Sequence, residues 1–140
     1  MISTYEYAKY LLGLASYHTL ISILVCGGQL SLDESTINIS TPNHPLNYYH
    51  NVTCIWEIIV PTNSSVVITF EDFQLEDHPH CGYDNVSLYT TKAERELLLT
   101  TLCGSDGEQN TYHVNDNLRL VFKSDQTNSF KGFKASLKKG

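Results

Sequence analysis

The stretch LRLVFKSDQTNSFKGFKASLK, residues 118–138, contains two runs in which apolar and polar side chains alternate. A repeat of two residues is typical of β-strands that bury one face. The residues between the two runs, 124–129, have the composition of a turn. The stretch therefore predicts two strands joined by a loop. The side chains on the expected buried face are Leu118, Leu120, Phe122, Phe133, Ala135 and Leu137.

Further runs of the same kind lie upstream. They cover residues 55–60, 66–70 and 84–89. In the last of these runs, Asn85 and Ser87 would face water. Because several short strands separated by turns are typical of a β-sandwich, the chain is expected to form an all-β sandwich.

Helical periodicity is nearly absent after residue 25. The one candidate is the segment Thr91–Leu99, in which charged residues precede three leucines. A helix shorter than about 12 residues is marginal without packing. The segment is therefore predicted to be a loop that leads into a strand.

The length and the net charge of the chain limit the functions that it can have. The 140 residues, 41% of them hydrophobic, suit one globular domain. Nine Lys and Arg residues stand against 15 Asp and Glu residues, which gives a net charge of −6. Since nucleic-acid binding depends on an excess of cations that neutralise phosphates, nucleic acid is not an expected partner.

Two features indicate export. Residues 10–25 are uncharged, mostly apolar and preceded by Lys9, but they are fewer than the roughly 20 that a membrane span needs. We interpret residues 1–25 as a signal peptide, with a short membrane anchor as the alternative, and place the domain at 26–140. The second feature is a set of N-x-S/T motifs, which are expected to carry glycans in a secreted protein. These motifs begin at Asn38, Asn51, Asn63 and Asn85.

Four cysteines are expected to form two disulfides in an oxidising compartment. They are Cys26, Cys54, Cys81 and Cys103. The chain has no C-x-x-C or C-x-x-H pair of the kind that zinc sites use. Of the three possible pairings, the sequential one closes loops of moderate size and is favoured, while the residues alone leave the other two open.

Acidic residues are concentrated in the first half of the domain. From Cys26 to Thr91 there are eight acids and no Lys or Arg, and five of those acids lie between residues 71 and 84. Such a cluster is either a solvated surface or a site for a hard cation. Calcium takes about 6 to 8 oxygen ligands and fits better than magnesium, which favours a stricter octahedron. With no EF-hand loop in the sequence, the ligands would converge from separate loops.

Ordered motifs along residues 26–140 identify a family. They are CGG at 26–28, TPNHP at 41–45, CIW at 54–56, FQLE at 73–76, CGYDNV at 81–86, CG at 103–104, LVFKSD at 120–125 and GFKA at 132–135. The chain resembles a CUB domain, the extracellular module of complement proteases, tolloid-type proteases, spermadhesins and cubilin. The resemblance implies a jelly-roll-like β-sandwich of two antiparallel sheets and the disulfides Cys26–Cys54 and Cys81–Cys103.

The resemblance also implies one calcium ion, held between loops at one end of the sandwich. By position, the expected ligands are Glu76, Asp84, Asp125, Thr127 (through its carbonyl oxygen) and Asn128. Tyr48 corresponds to a tyrosine that braces such a site. The remaining acids of the cluster are expected to be solvated; they are Glu71, Asp72 and Asp77.

In related CUB domains a lysine of the partner contacts the calcium-ligating acids. The leading hypothesis is therefore a secreted, non-catalytic module that binds an extracellular protein with an exposed lysine. Glu76 and Asp125 would accept hydrogen bonds from that lysine, and Tyr48 would pack on its methylenes. The mature domain is not expected to insert into a membrane.

Two alternatives stay open beside this hypothesis. The first is spermadhesin-like binding of glycans or glycosaminoglycans by a basic strip made of Lys123, Lys131, Lys134, Lys138 and Lys139. The second is that the chain is the N-terminal fragment of a larger mosaic protease or receptor. Catalysis by this domain is not expected, because no nucleophile beside a base and no H-E-x-x-H or G-x-S-x-G motif is found in the sequence.

Overall fold

Nine strands dominate residues 26–140, the part of the chain that the computed structural model describes. They are β1 (Gly28–Ser31), β2 (Ile37–Ser40), β3 (Thr53–Ile59), β4 (Val66–Gln74), β5 (Asn85–Lys92), β6 (Arg95–Leu102), β7 (Thr111–Val114), β8 (Leu118–Lys123) and β9 (Gly132–Lys139). One turn of 3-10 helix, Pro79–Cys81, lies between β4 and β5. No helix within residues 26–140 has the length and apolar character to cross a membrane. The expected signal peptide or anchor at 1–25 lies outside the described residues.

The strands form two sheets, in the orders β1-β3-β8-β5-β6 and β2-β9-β4-β7. All neighbouring strands are antiparallel except β1 and β3, which run parallel. The disulfides join Cys26 to Cys54 and Cys81 to Cys103. The predicted all-β sandwich with sequential disulfides is thus confirmed, with β1 as a parallel edge strand.

The core lies between the two sheets, and β8 of one sheet and β9 of the other contribute many of its side chains. All six alternating apolar side chains of the opening stretch are fully buried there. The rings of Phe122 and Phe133 meet edge to face across the two sheets, with centroids 6.2 Å apart. Burial of a side chain of this size contributes about 1.5–3 kcal/mol, so these two strands supply a large part of the driving force for folding.

The predicted loop at Thr91–Leu99 is wrong. β5 continues to Lys92, and Ala93 and Glu94 form a two-residue turn in which both φ angles are positive, 52° and 63°. Positive φ at both positions is the geometry of a tight hairpin turn, which leads directly into β6. β6 is an edge strand, so its three leucines remain 43–57% exposed.

Two expectations about β5 also need correction. Ser87 is only 8% exposed and its hydroxyl lies 3.0 Å from that of Thr101, because β5 is flanked by strands on both sides. Asn85 is half-buried rather than facing water.

The strand directions gather the connections at two ends. The longer connections meet at what we call the loop end, residues 41–52, 75–84, 103–110 and 124–131. The shorter ones meet at the turn end, residues 32–36, 60–65, 93–94 and 115–117. The loop end carries the acids that the sequence singles out.

Candidate metal centre

Three carboxylates from distant parts of the chain converge at the loop end. Asp84 immediately precedes β5, and Asp125 follows β8 by two residues. Since Asn85 pairs with Lys123 in adjacent strands, the two acids emerge side by side. Glu76 joins them from the loop after β4, and one oxygen from each carboxylate lies within 4.8 Å of the others. The fold itself therefore builds a three-carboxylate cluster.

Asp84 is the centre of this cluster. Its side chain is completely buried, Oδ1 accepts the backbone N–H of Asp125 at 2.7 Å, and Oδ2 accepts the hydroxyl of Tyr48 at 2.5 Å. Burial raises the pKa of Asp84, and the neighbouring charges of Asp125 and Glu76 raise this pKa further, although its two hydrogen bonds act the other way. A nearby cation would reverse the unfavourable effect of gathering the charges.

Glu76 leaves one oxygen without a protein partner. The residue is 7% exposed, and Oε1 accepts a hydrogen bond from Asn128 Nδ2 at 3.0 Å. The other oxygen, Oε2, is buried and has no hydrogen-bond partner among the described residues. A buried polar atom without a partner costs free energy. An oxygen-only donor set with an unsatisfied carboxylate oxygen fits calcium, which binds hard oxygen ligands.

Tyr48 braces the cluster from within. Its hydroxyl donates to Asp84 and accepts the backbone N–H of Glu76 at 3.2 Å, and its ring packs edge to face on Phe122 at 5.1 Å. Burial and the hydrogen bond to Asp84 raise the pKa of Tyr48, so the hydroxyl keeps its proton and remains a donor. The side chain is only 2% exposed. The expected packing of Tyr48 on a partner's methylenes is therefore corrected, because no face of the ring is available to a partner.

A continuous set of hydrogen bonds links all the expected ligands. Thr127 N–H donates to Asp125 Oδ1 at 3.1 Å, which connects this exposed residue to the rest of the cluster. Asn128 has a left-handed backbone, with φ of 56°, and reaches Glu76 from the same loop. In the order in which the hydrogen bonds connect them, the residues are Thr127, Asp125, Asp84, Tyr48, Glu76 and Asn128.

Asp72, expected to be solvated, is instead part of a second link between the loops. It is half-buried, and its two oxygens contact His44 Nε2 at 2.9 Å and Lys131 Nζ at 2.5 Å. The hydrogen bond from Lys131 lowers the pKa of Asp72 most, and the hydrogen bond from His44 lowers it by less. This link ties the loop before β3 and the loop before β9 to β4. The only signal for this link in the sequence is that His44 lies within the TPNHP motif at 41–45.

The basic strip considered for sulfated glycans is largely paired with acids. Lys131 contacts Asp72, and Lys134 contacts Glu71 at 3.5 Å. Lys139 contacts Glu34. Lys123 and Lys138 are exposed.

The glycosylation motifs differ in their surroundings. Asn38, Asn51 and Asn63 are exposed. Asn85 is half-buried, and its Nδ2 donates to the carbonyl oxygens of Cys81 at 3.0 Å and Tyr83 at 3.4 Å. A glycan on Nδ2 would displace one of these hydrogen bonds.

Comparison with known proteins identifies the fold and supports the cluster. The sequence profile of the CUB domain family matches residues 26–137. The chain belongs to the CUB domain family. This CUB domain is 40% identical over 111 residues to Tolloid-like protein 1 of Mus musculus, a match that covers 79% of this chain but 11% of that protein.

Two solved structures have a similar fold. The full extracellular region of zebrafish Gpr126 superposes with a TM-score of 0.72 and 30% identity, covering 81% of this CUB domain and 14% of that chain. The MASP-1 CUB2 domain bound to Ca2+ superposes with a TM-score of 0.67 and 25% identity, covering 81% of this chain and 99% of that one. A CUB domain of this shape therefore binds calcium in MASP-1.

Proposed function

We propose that this CUB domain is an extracellular, non-catalytic binding module whose loop end holds one calcium ion and presents acidic oxygens to a lysine of a protein partner. The observation that carries the proposal is the cluster of Glu76, Asp84 and Asp125, in which the buried Oε2 of Glu76 has no hydrogen-bond partner within residues 26–140. The calcium-bound MASP-1 CUB2 domain supports the choice of ion.

The residues of the cluster have different roles in the proposed site, which follow from how deeply each is buried. Asp84 is completely buried and already accepts two hydrogen bonds, so it acts as the inner ligand and never meets a partner. Glu76 and Asn128 close one side of the site, and Asp125 and Thr127 close the other. Calcium, when bound, would supply the positive charge that offsets the repulsion among the acids and holds the loops together.

Contact with the partner falls mainly to Asp125. Glu76 is 7% exposed, whereas Asp125 is half-buried at the rim and is the more accessible of the two acids. A lysine ammonium is a compact cation with three donors. It suits a rim carboxylate whose orientation is fixed by neighbouring ligands.

Three observations support an extracellular location for this domain. The chain has two disulfides, which persist in oxidising compartments. It has exposed N-x-S/T motifs. One of its structural neighbours is the extracellular region of Gpr126.

The alternatives receive less support. A heparin-type site would need free cations, and three lysines of the proposed strip already pair with acids. That the chain is part of a mosaic protein stays a prediction. The match to 11% of the tolloid-like protein shows only that domains of this family occur inside longer proteins.

The test is retention of the purified protein on lysine-coated resin with calcium or with EDTA. We expect retention that requires calcium, that Asp125→Asn reduces severalfold, and that the matched turn-end variant Asp116→Asn leaves unchanged. Retention that persists in EDTA would refute the calcium-dependent mechanism. Binding to heparin that is indifferent to calcium would instead favour the glycosaminoglycan alternative.

A further inference from the structure

We propose that the N-x-T motif at Asn51 places an N-linked glycan beside the calcium cluster, where the glycan restricts the access of protein partners to Asp125 and leaves calcium binding unchanged. The inference rests on the proposed function, whose loop-end site it would regulate.

Asn51 lies directly against the loop that carries the rim acid. Its backbone N–H donates to the carbonyl oxygen of Asp125 at 2.9 Å, and its side chain is exposed. The backbone is left-handed, with φ of 55°, which places Asn51 at a sharp turn just before β3. The backbone of the residue that would carry the glycan is therefore hydrogen-bonded directly to the backbone of the residue that is proposed to meet the partner.

This position is fixed, because the two loops are joined at several points. Ser124 N–H donates to the carbonyl oxygen of Val52 at 2.9 Å, and the Ser124 hydroxyl donates to the carbonyl oxygen of Tyr49 at 2.7 Å. Val52 N–H donates to the Ser124 hydroxyl at 3.0 Å, and Tyr48 N–H donates to the carbonyl oxygen of Phe130 at 2.9 Å. A glycan on Asn51 could not swing away from the site by movement of its own loop without breaking these bonds.

The other motifs do not share this placement. Asn63 is exposed at the turn end, and Asn38 lies on the edge strand β2, paired with Ser136. Asn85 is at the loop end, but its amide is occupied by two carbonyl oxygens. Among the four motifs, Asn51 alone is both exposed and at the loop end.

The size of a glycan explains why the ion and the partner would be affected differently. A glycan is bulky and hydrophilic, so it excludes a protein surface from the space around its attachment point. Calcium is a small ion whose proposed inner ligand, Asp84, is fully buried and belongs to a different loop. The glycan would therefore obstruct the approach of a partner and not the ligation of the ion.

The test uses the full chain secreted from cultured animal cells. Thr53→Ala removes the motif and retains Asn51, whose left-handed backbone suits asparagine. Thr53→Ser retains the motif and is the matched control. Ser65→Ala, which removes the Asn63 motif at the turn end, controls for loss of any glycan. The readouts are glycopeptide mass spectrometry at Asn51, the calcium-induced thermal shift, and calcium-dependent retention on poly-lysine resin.

We expect Asn51 to be glycosylated in the wild type and in Thr53→Ser. Thr53→Ala should be retained severalfold more strongly than both, with an unchanged calcium dependence of the thermal shift, and Ser65→Ala should match the wild type. An unmodified Asn51, or equal calcium-dependent retention of Thr53→Ala and Thr53→Ser, would overturn this inference and leave the proposed function standing. If no form were retained in calcium, the proposed function would fail and the inference with it.

Discussion

The two ends of the sandwich reverse the chain in different ways. At the turn end, the connections are short, as in the two-residue turn of Ala93 and Glu94 between β5 and β6, and a long-range bond there is the one that Asn117 Oδ1 accepts from Val60 N–H at 2.8 Å. At the loop end, the connections are longer and are held by bonds between residues far apart in sequence, such as Tyr48 with Asp84 and Glu76 with Asn128. Changes at the loop end should therefore affect several loops and calcium together, whereas changes at the turn end should remain local.

Removal of Asp84 should have the largest effect. Asp84→Ala deprives the Asp125 N–H and the Tyr48 hydroxyl of their acceptor. Each unsatisfied buried group costs about 1–3 kcal/mol, so the free energy of unfolding in calcium should fall by roughly 2–6 kcal/mol. Calcium binding should also be lost. Denaturant unfolding and calorimetric titration with calcium measure the two effects.

The matched control is Asp116→Ala at the turn end, where the exposed carboxylate accepts the N–H of the adjacent Asn117. This variant should bind calcium normally and change stability by no more than about 0.5 kcal/mol, as surface substitutions do. Heat of calcium binding that is the same in Asp84→Ala and the wild type would show that the ligands have been misassigned.

Removal of calcium from the wild type should have the next largest effect and should separate the two ends. A ligand at 100 times its dissociation constant stabilises a protein by about 2.7 kcal/mol, so EDTA should lower the melting temperature measurably. Amide hydrogen exchange should accelerate in residues 41–52, 75–84 and 124–131 and remain unchanged in 60–65 and 115–117. Magnesium should not restore protection. Equal acceleration at both ends would argue against a localised site.

The contrast between the ends also explains what sequence reasoning could predict. The runs that became β3, β4, β5, β8 and β9 were predictable because every second side chain in each run is apolar and lies on the face toward the core. The early start of β6 could not be predicted, because three consecutive leucines mask the alternation around a β-bulge, at which Leu88 pairs with Thr100 but Tyr89 pairs with Leu98. β1, β2 and β7 have four residues each, too few to show a pattern.

At the loop end, the three acids could be named only through the resemblance to CUB domains, because the residues alone indicated an acidic cluster without showing which of its members meet. The role of Tyr48 could not be predicted in full, since its burial depends on packing against Phe122 of β8. The contact of Asp72 with Lys131 was equally hidden, because nothing in the local sequence of either residue indicates that they meet.

Tyr48→Phe tests the brace without emptying the core. The ring can keep its contact with Phe122. The Glu76 N–H loses its acceptor, and Asp84 Oδ2 loses the hydroxyl that donates to it. We expect a loss of about 1–2 kcal/mol in the free energy of unfolding and weaker calcium binding. Tyr112→Phe on β7 removes a hydroxyl away from the cluster and should leave calcium binding intact. Unaltered calcium affinity in Tyr48→Phe would show that the cluster is held without the brace.

The smallest expected effect is the pH dependence that Asp72 contributes. Lys131, followed by His44, lowers the pKa of Asp72 from its ordinary value of 3.8. A carboxyl whose pKa is lower in the folded state stabilises the fold above its unfolded pKa, and this contribution disappears as the pH falls through the folded pKa. The stability advantage of the wild type over Asp72→Asn should therefore be full near about pH 6 and should diminish below about pH 4. Glu94→Gln in the turn between β5 and β6 is the control, since Glu94 is exposed at the opposite end. Denaturant unfolding between about pH 2 and pH 6 measures the difference in stability. If the advantage of the wild type stays constant down to about pH 2, the link through Asp72 does not contribute to the stability of the loop end.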